Sequence, residues 1–232
     1  IRFPSIEVLT IGAGGGSLAW IDDVGALHNG PQSAGADPGP ACYGRGNDVP
    51  TNTDANVALG RLGTSLAGGN ITLDRGAAET AVKTGVAEPL GMSMDDAAKS
   101  IVSVANANMA DAVRLISISR GYDPRDFALV AFGGAGALHG VALAKELAIP
   151  TVIVPPNPGV TSALGCLLVD IRHDLAQSYL KSASEADAGD IEAKFTEMEN
   201  EARERLEAEG VAAKDMLLQR AIDMMYEGQW RS

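Results

Sequence analysis

The stretch from Phe127 to Gly140 constrains the fold of this chain more than any other. It reads FALVAFGGAGALHG: six largely apolar residues end at a pair of glycines, and apolar residues then return at helical spacing. This pattern predicts a buried strand that enters a helix through a glycine turn. Without Cβ atoms, Gly133, Gly134 and Gly136 would let a ligand approach the backbone, and the first turn of a helix offers unpaired N–H groups to an anion. A nucleotide phosphate or ribose would fit such a turn, although a strand-to-helix turn also needs glycine for packing alone.

A second glycine-rich stretch, TIGAGGGS from Thr10 to Ser17, follows an apolar run and leads into LAWI. We predict a hairpin with a wide glycine tip here, with strands at Ile6–Ile11 and Ser17–Asp22 and a third short strand at Ala26–His28. Two such loops in one domain suggest two walls of one phosphate site. The candidate ligand-binding residues are Gly12, Gly14, Gly15, Gly16 and Ser17 in this loop, and Gly133, Gly134, Gly136 and His139 at the later turn. His139 would either contact ribose or phosphate, or pack locally.

Composition and charge limit the partners that the chain can have. With 18 basic and 30 acidic residues among 232, the net charge is -12, which argues against a nucleic-acid surface and against an anionic membrane. No apolar run approaches the roughly 18 residues that span a bilayer, and the first residues lack the shape of a signal peptide. We therefore expect a cytoplasmic protein. Cys42 and Cys166 lie far apart without CxxC spacing, so neither a disulfide framework nor a zinc site is expected, and no residue is assigned as a metal ligand.

Two acidic residues are candidates for a catalytic role. Asp37 lies in the irregular stretch GPQSAGADPGPACYGRG, which Pro38 and Pro40 make rigid. Asp54 lies in TNTDAN, where Thr53 or Asp54 is also expected to cap a short helix that ends at Leu62. A general base must be acidic and must be delivered by a rigid segment near the phosphate site. The alternatives left open are a solvent-facing turn for Asp37 and a helix cap for Asp54.

The remainder of the chain reads as an alternation of helices and strands. Asp74 caps a helix that continues to Val86, and the capping box at Ser93 starts a long helix that runs to Arg120. Later predicted elements are a buried strand at Thr151–Val154, a small-residue helix at Thr161–Val169, a helix from Ile191 to Glu209 capped by Asp190, and a strand at Met216–Tyr226. A meander followed by alternating units is the order of the ribonuclease-H-like half-domain of actin-like ATPases.

Four stretches carry a family resemblance. They are, in order, TIGAGGGSLAWID, SAGADPGPACYGRG with PTNTDANVALGRL after it, FGGAGALHG, and PPNPGVTSALGCLLVDIRHD. Together they resemble the hydantoinase A/oxoprolinase family, which includes ATP-dependent N-methylhydantoinases, 5-oxoprolinases and subunits of acetone carboxylases. The resemblance implies an enzyme that uses ATP and Mg²⁺ to activate a lactam, a cyclic imide or a ketone by phosphorylating its oxygen. Hydrolysis or carboxylation follows, often with a second subunit, so a hydantoinase B-type subunit or domain is an expected partner.

The resemblance also implies a fold, an α/β actin-like (ribonuclease-H-like) half-domain with a mixed sheet and flanking helices. It would span residues 1–175, with a loop and helix inserted at about 31–92, and residues 176–232 would lead into a truncated further domain. The first glycine loop then corresponds to the second phosphate loop of actin-like proteins, although Thr10 stands where many of them carry an aspartate. LVAFGGAGALHG corresponds to the adenosine motif. No DxGGTxTD-like loop is present, so we expect a missing N-terminal domain to supply the opposite wall of the cleft.

Three functional hypotheses follow from the resemblance. The main one is that the chain is part of an ATP-dependent hydrolase that opens a cyclic amide such as hydantoin or 5-oxoproline, and that it is inactive in isolation. The second is an ATP-binding subunit of an acetone-type carboxylase. The third is an actin-like nucleotide-binding module without turnover.

Overall fold

The computed structural model describes residues 8–229 of the chain. Two compact units are distinguished by their internal contacts: the first ends at residue 167, and the second begins at residue 168. The domain boundary expected after residue 175 stays a prediction. The glycine-rich stretches and both candidate carboxylates belong to the first unit.

The first unit begins with an antiparallel hairpin of β1 (Ser17–Ile21) and β2 (Leu27–Ser33). At its turn, the Asp22 carboxylate accepts a hydrogen bond from the N–H of Ala26 at 2.8 Å, and Gly25 takes a φ of 85°. Glycine is suited to this left-handed conformation because it has no Cβ. The turn predicted between these two strands is therefore confirmed.

The three-stranded meander predicted for this region is wrong within the described residues. Residues 8–11 are not in a strand, and residues 6 and 7 of the predicted strand lie outside the described range. The backbone at Gly12 instead crosses β2 at Pro31, so closely that a Cβ on Gly12 would lie 2.8 Å from the Pro31 Cβ. Proline has no N–H, so Pro31 cannot donate a hydrogen bond to an added strand.

Helices supply most of the core of the first unit. The hairpin is followed by α1 (Asn52–Ala58), β3 (Ser65–Leu66), β4 (Ile71–Thr72), α2 (Arg75–Val82), α3 (Glu88–Leu90) and α4 (Met94–Ile116). Asp74 and Ser93 cap α2 and α4 through the backbone N–H groups of Ala77 and Asp96, so both predicted caps are confirmed. A π-helical turn at Lys83–Ala87 joins α2 to α3.

The helical segment that starts at α2 continues past its predicted end at Val86. Pro89 does not end this helical segment, because it lies in the first turn of α3, where a backbone N–H is not needed for a hydrogen bond within the helix. The segment ends instead at Gly91, whose φ is 63°. Along this bundle Val82, Val86 and Ile101 are fully buried together with several alanines, whose small side chains let the helices approach closely.

A parallel pair of strands forms the later part of the first unit. The chain passes from β5 (Ala128–Val130) through α5 (Gly136–Glu146) to β6 (Thr151–Ile153), which pairs with β5 in parallel, and then enters α6 (Thr161–Leu168). This order confirms the predicted strand, glycine turn and helix. The predicted burial of the two strands is wrong, because Val130 is 49% and Ile153 46% exposed. A second apolar cluster fixes α5 and these strands to α4 through Ala110, Ala144, Leu147 and Ile149.

The chain is thus a mixed α/β fold with small sheets. Each sheet within residues 8–229 has two strands: β1 with β2, β3 with β4, and β5 with β6. The single mixed sheet expected from the sequence is not formed by these residues. The actin-like arrangement itself stays a prediction.

The second unit contains one long helix, α7 (Ala188–Ala208), whose cap is Asp187 rather than the predicted Asp190. Asp190 instead donates its N–H to the Asp187 carboxylate at 2.9 Å. The strand predicted at Met216–Tyr226 is also wrong, because this exposed segment has no strand beside it within the described residues. It is attached to α7 through Arg220, which lies above the ring of Phe195 at 5.1 Å.

Helix α4 corrects one expectation about apolar segments. By length and composition alone, one helix of the described residues, Met94–Arg120 with a mean hydropathy of 1.2, is long and apolar enough to cross a membrane. The sequence analysis expected no segment long and apolar enough to span a bilayer, and by length and hydropathy that expectation is wrong. Ala97 and Ile101 of the same helix are buried against neighbouring helices, and the core helix of a globular domain meets the same criterion.

Replacing Ile101 by alanine should destabilise the first unit by about 2–4 kcal/mol, because it leaves a cavity between α1, α2 and α4. The matched control is Ile118→Ala: Ile118 is 56% exposed, and the same truncation there should cost less than about 0.5 kcal/mol. Urea denaturation followed by circular dichroism measures both. Equal losses for the two variants would contradict the central position assigned to Ile101.

Candidate functional site

Residues 12–17, here called glycine loop 1, turn two of their carbonyl oxygens toward the first turn of α1. The carbonyl oxygen of Gly15 accepts two hydrogen bonds from Thr53, one from its N–H at 2.8 Å and one from its Oγ1 at 2.9 Å. The carbonyl oxygen of Gly14 accepts a third, from Asn52 Nδ2 at 2.8 Å. The backbone of the loop is therefore fixed by side chains of another element.

In contrast to these carbonyl oxygens, two of the N–H groups of glycine loop 1 make no hydrogen bond to the described residues. The N–H of Gly14 donates to Ser17 Oγ at 2.9 Å, and the carbonyl oxygen of Gly16 accepts from the N–H of Ala34 at 2.8 Å. The N–H groups of Gly15 and Gly16 have no partner among residues 8–229. The loop thus presents two adjacent backbone donors while its acceptors are bonded inward.

Close packing explains why glycine is needed in this loop. A Cβ on Gly15 would lie 2.8 Å from Thr53 Oγ1, and a Cβ on Gly16 would lie 2.9 Å from Ser33 Oγ. Gly14 is different, because nothing lies within 4 Å of a Cβ built there. Glycine at 15 and 16 therefore serves the approach of α1 and β2, in addition to any role in ligand binding.

Behind the loop lies a buried pair of amide side chains that the sequence analysis does not identify. Asn29 Nδ2 donates to Asn52 Oδ1 at 2.7 Å, and Asn52 Nδ2 donates back to Asn29 Oδ1 at 3.2 Å. From α4, Asn108 Nδ2 donates to the carbonyl oxygen of Asn29 at 3.1 Å. The signal in the sequence is the run of small polar residues in TNTDAN, which is unusual for a buried helix.

The glycine turn between β5 and α5, residues 131–136, is here called glycine loop 2. Gly133 has a φ of 87° and donates its N–H to the carbonyl oxygen of Pro158 at 2.8 Å. The N–H groups of Gly134 and Gly136 have no partner in the described part of the chain. Ala135 caps α5 without a side-chain hydrogen bond, so the first turn of this helix retains free donors.

His139, in the first turn of α5, is only 3% exposed. Its Nδ1 lies 2.7 Å from Asn106 Oδ1, and since an amide oxygen only accepts, Nδ1 carries the proton. Nε2 is then an acceptor, and it has no partner among the described residues. Burial, followed by the positive charge of Arg61, lowers the pKa of His139, so the ring is neutral at neutral pH.

Helix α4 contacts the elements behind both loops. Asn106 bonds to His139 behind glycine loop 2, and Asn108 bonds to Asn29 behind glycine loop 1. A cavity of about 300 Å³ adjoins the first loop. It is lined by Ile11, Gly12, Ala13, His28, Asn29, Gly30, Pro31, Val104 and Asn108. No residue of glycine loop 2 lines it, so a pocket shared by the two loops stays a prediction.

His28 in the wall of this cavity has no motif around it that the sequence analysis could have used. Its Nε2 lies 2.7 Å from Asp22 Oδ2, and its ring stacks on that of Trp20 with 4.5 Å between centroids. The hydrogen bond from His28 lowers the pKa of Asp22. The imidazole is thereby held in one orientation at the edge of the cavity.

Asp54 is fully buried and makes the contacts of a structural carboxylate. Its Oδ2 accepts from the N–H of Thr51 at 2.9 Å, from Thr51 Oγ1 at 2.8 Å and from the N–H of Ala41 at 3.1 Å, and its Oδ1 accepts from the N–H of Cys42 at 2.7 Å. Thr51 is the cap of α1 and Asp54 completes its capping box, so the cap predicted at Thr53 or Asp54 is wrong. A catalytic role for Asp54 stays a prediction.

Asp37 occupies the opposite kind of position, on an exposed turn. Its carboxylate makes no hydrogen bond within residues 8–229. The turn itself is ordered, because Arg45 Nη1 donates to the carbonyl oxygen of Ala36 at 3.0 Å and the N–H of Gly39 donates to the carbonyl oxygen of Ala34 at 3.1 Å. Asp37 is therefore a free carboxylate on a fixed loop, and its catalytic role also stays a prediction.

Three comparisons with known proteins bear on this site. The family model described as hydantoinase/oxoprolinase matches residues 1–175. The alpha subunit of caprolactamase from Pseudomonas jessenii is 50% identical over 175 residues, which are 75% of this chain and 25% of that subunit. The gamma subunit of acetophenone carboxylase from Aromatoleum aromaticum is 37% identical over 239 residues, covering 99% of this chain and 32% of that subunit.

A solved structure also matches this chain, and it is of a caprolactamase as well. The crystal structure of ATP-dependent caprolactamase from Pseudomonas jessenii matches with a TM-score of 0.69 and 42% sequence identity, over 89% of this chain and 30% of that one. The chain therefore spans between 25% and 33% of the length of the first relatives it matches.

Cys42 should resist alkylation at about pH 8, whereas the exposed Cys166 should react. Burial raises the pKa of Cys42, and the Asp54 carboxylate raises it further, so the reactive thiolate does not form in the folded protein. Iodoacetamide labelling followed by mass spectrometry measures both sites, and denaturant should make both reactive.

The same labelling tests the role of Asp54. Asp54→Ala should expose Cys42 to reagent by releasing the loop at residues 41 and 42, while the control Asp37→Ala should leave Cys42 protected. Rapid modification of Cys42 in the unaltered folded protein would contradict the contacts assigned to this loop.

Proposed function

This chain belongs to the hydantoinase/oxoprolinase family, and from that premise we propose that it forms part of an ATP-dependent hydrolase that opens a lactam or cyclic imide, such as hydantoin or 5-oxoproline. One observation carries the proposal: the carbonyl oxygens of Gly14, Gly15 and Gly16 are bonded inward, while the N–H groups of Gly15 and Gly16 have no partner among the described residues. Adjacent backbone donors of this kind bind phosphate oxygens.

The reaction explains why ATP is needed. An amide nitrogen is a poor leaving group, and the carbonyl carbon of a lactam is a weak electrophile. Transfer of the terminal phosphoryl group of ATP forms a bond between the lactam oxygen and phosphorus and breaks the bond to ADP. Water then adds to the activated carbon, and the C–N bond of the ring breaks to leave an amine and an acyl phosphate. A second water hydrolyses the acyl phosphate to a carboxylate and inorganic phosphate. Positioning and charge stabilisation control phosphoryl transfer, and backbone donors supply both.

The two loops take different parts of the nucleotide in this proposal. Gly15 and Gly16 donate to the phosphates, and Gly134 and Gly136 let adenosine lie against the backbone at the start of α5. His139, whose buried Nε2 is an acceptor without a partner among the described residues, remains the proposed ribose contact of this loop. That α4 is bonded to β2 behind glycine loop 1 and to α5 behind glycine loop 2 supports a single nucleotide cleft between the loops.

Mg²⁺ is implied by the family and would be held between phosphate groups. Within the part of the chain that the structure describes, no group of three or more His, Cys, Asp or Glu side chains is arranged to hold a metal ion. Residues 8–229 therefore do not form a metal site of their own. Asp37, on its fixed exposed turn, is the proposed general base, with Asp54 second.

Further partners are part of the proposal, because the chain spans at most 33% of the first relatives. An N-terminal domain of the same polypeptide would supply the opposite wall of the cleft, and a hydantoinase B-type subunit or domain would complete the enzyme. The proteins named as similar include an alpha and a gamma subunit, which supports an assembly of more than one chain. A cytoplasmic location completes the proposal.

A carboxylase subunit is the second candidate. It is favoured by the acetophenone carboxylase gamma subunit, which is 37% identical over 99% of this chain. The lactam hydrolase is preferred because the caprolactamase alpha subunit is 50% identical. Both candidates share the phosphorylation step. They differ in the step that follows, in which a hydrolase adds water to the activated substrate and a carboxylase adds a carboxyl group to it.

Replacing Gly15 by alanine should weaken ATP binding about three- to tenfold, since the new Cβ would lie 2.8 Å from Thr53 Oγ1 and would displace the loop. Gly63→Ala is the matched control, because Gly63 lies outside both glycine loops and a Cβ there has no neighbour within 4 Å. Calorimetric titration of ATP into the full-length protein and into this chain alone, with and without Mg²⁺, measures the effect. We expect weak or no binding by this chain alone, and the absence of binding by the full-length protein would contradict the proposal.

Lactams should stimulate ATP hydrolysis by the full-length assembly, and ketones with bicarbonate should not. Asp37→Asn should lower the lactam-dependent kcat by about 10²–10⁴ if Asp37 is the general base, while Asp48→Asn, an exposed aspartate on the same loop, should leave it unchanged. Stimulation by ketone and bicarbonate alone would favour the carboxylase. Unchanged turnover in Asp37→Asn would remove that residue from the mechanism.

A further inference from the structure

We propose that Asn52 and Thr53 are positioning residues that orient the phosphate-binding N–H groups of glycine loop 1. The inference rests on the proposed function, since it concerns how the same site is held in shape. Neither side chain needs to touch the ligand. Each acts through a carbonyl oxygen of the loop.

The argument follows from the geometry of the peptide bond. The carbonyl of one residue and the N–H of the next lie in one rigid plane and point in opposite directions when the bond is trans. The Gly14 carbonyl oxygen accepts from Asn52 Nδ2 at 2.8 Å and from the N–H of Ser17 at 3.2 Å, and these bonds together set the direction of the Gly15 N–H. In the same way, the two bonds from Thr53 to the Gly15 carbonyl oxygen set the direction of the Gly16 N–H.

Glycine makes this control necessary. Its backbone has access to more conformations than that of any other residue, so three consecutive glycines have no intrinsic reason to keep adjacent N–H groups pointing the same way. Asn52 is itself immobilised, because it is 1% exposed and exchanges two hydrogen bonds with Asn29. The order of the loop is thus imposed by the first turn of α1.

The chain offers matched variants that separate this role from general stability. Thr53→Val removes the Oγ1 donor at nearly constant shape, and Thr53→Ser restores it. Asn52→Asp replaces the Nδ2 donor by an acceptor that faces the Gly14 carbonyl oxygen. Asn56→Asp makes the same change one turn later at a residue that is also 1% exposed. Among the described residues, the Nδ2 of Asn56 donates to the helix backbone alone, at the Asn52 carbonyl oxygen.

The measurement compares ATP with adenosine, which lacks the phosphates, by calorimetry on the full-length protein. Thr53→Val should weaken ATP binding about five- to tenfold and leave adenosine binding unchanged, since one hydrogen bond to the loop is lost. Thr53→Ser should bind ATP as the unaltered protein does. Asn52→Asp should lose more ATP affinity than Thr53→Val, whereas Asn56→Asp should lower the unfolding temperature without changing the ratio of ATP to adenosine affinity.

Failure of this inference and failure of the proposed function give different results. If the unaltered protein does not bind ATP more tightly than adenosine, glycine loop 1 is not a phosphate site. If it does, but Thr53→Val loses nothing or loses both ligands equally, the positioning role is overturned. An equal loss of ATP selectivity in Asn56→Asp and Asn52→Asp would also overturn it, because the effect would then come from α1 as a whole.

Discussion

The buried carboxylate of Asp54 is the contact on which the candidate site depends. It accepts hydrogen bonds from the backbone of residues 41–42 and from both the N–H and the hydroxyl of Thr51. A buried carboxylate is tolerated when it is supplied with donors in this way. It joins an irregular loop to the first turn of α1, and that turn carries Asn52 and Thr53. The shape of glycine loop 1 is therefore set by a group that does not contact it.

Helix α4 is the second organising element, and it acts through packing as well as through hydrogen bonds. Its buried face lies against α1 and α2 at Ile101, and a second cluster joins it to α5 and β6 around Ala110. Between these clusters, Asn106 and Asn108 contact α5 and β2. The elements behind both glycine loops, β2 and α5, are consequently attached to one helix, so a displacement of either element would be resisted by the same core.

The sequence could predict the features whose causes are local. The glycine turn after β5 and the caps at Asp74 and Ser93 depend on residues within a few positions of one another, and all three are present. Strand pairing has no such local cause, which is why Met216–Tyr226 shows strand composition without a strand. TNTDAN contains several residues able to cap a helix, and only the Asp54 contacts select Thr51. The amide pair behind the loop joins residues far apart in the chain, beyond the reach of spacing arguments.

Glycine loop 1 offers its donors from the main chain and not from ionisable side chains. Peptide N–H groups carry no titratable proton in the range where proteins remain folded, so their partial positive charge is independent of pH. A receptor of this kind can attract an anion although the chain as a whole carries a charge of -12. Acidification would then alter the protonation of the bound phosphate and leave that of its receptor unchanged. In the proposed nucleotide site, recognition of the anion would therefore not depend on the protonation of the acidic side chains.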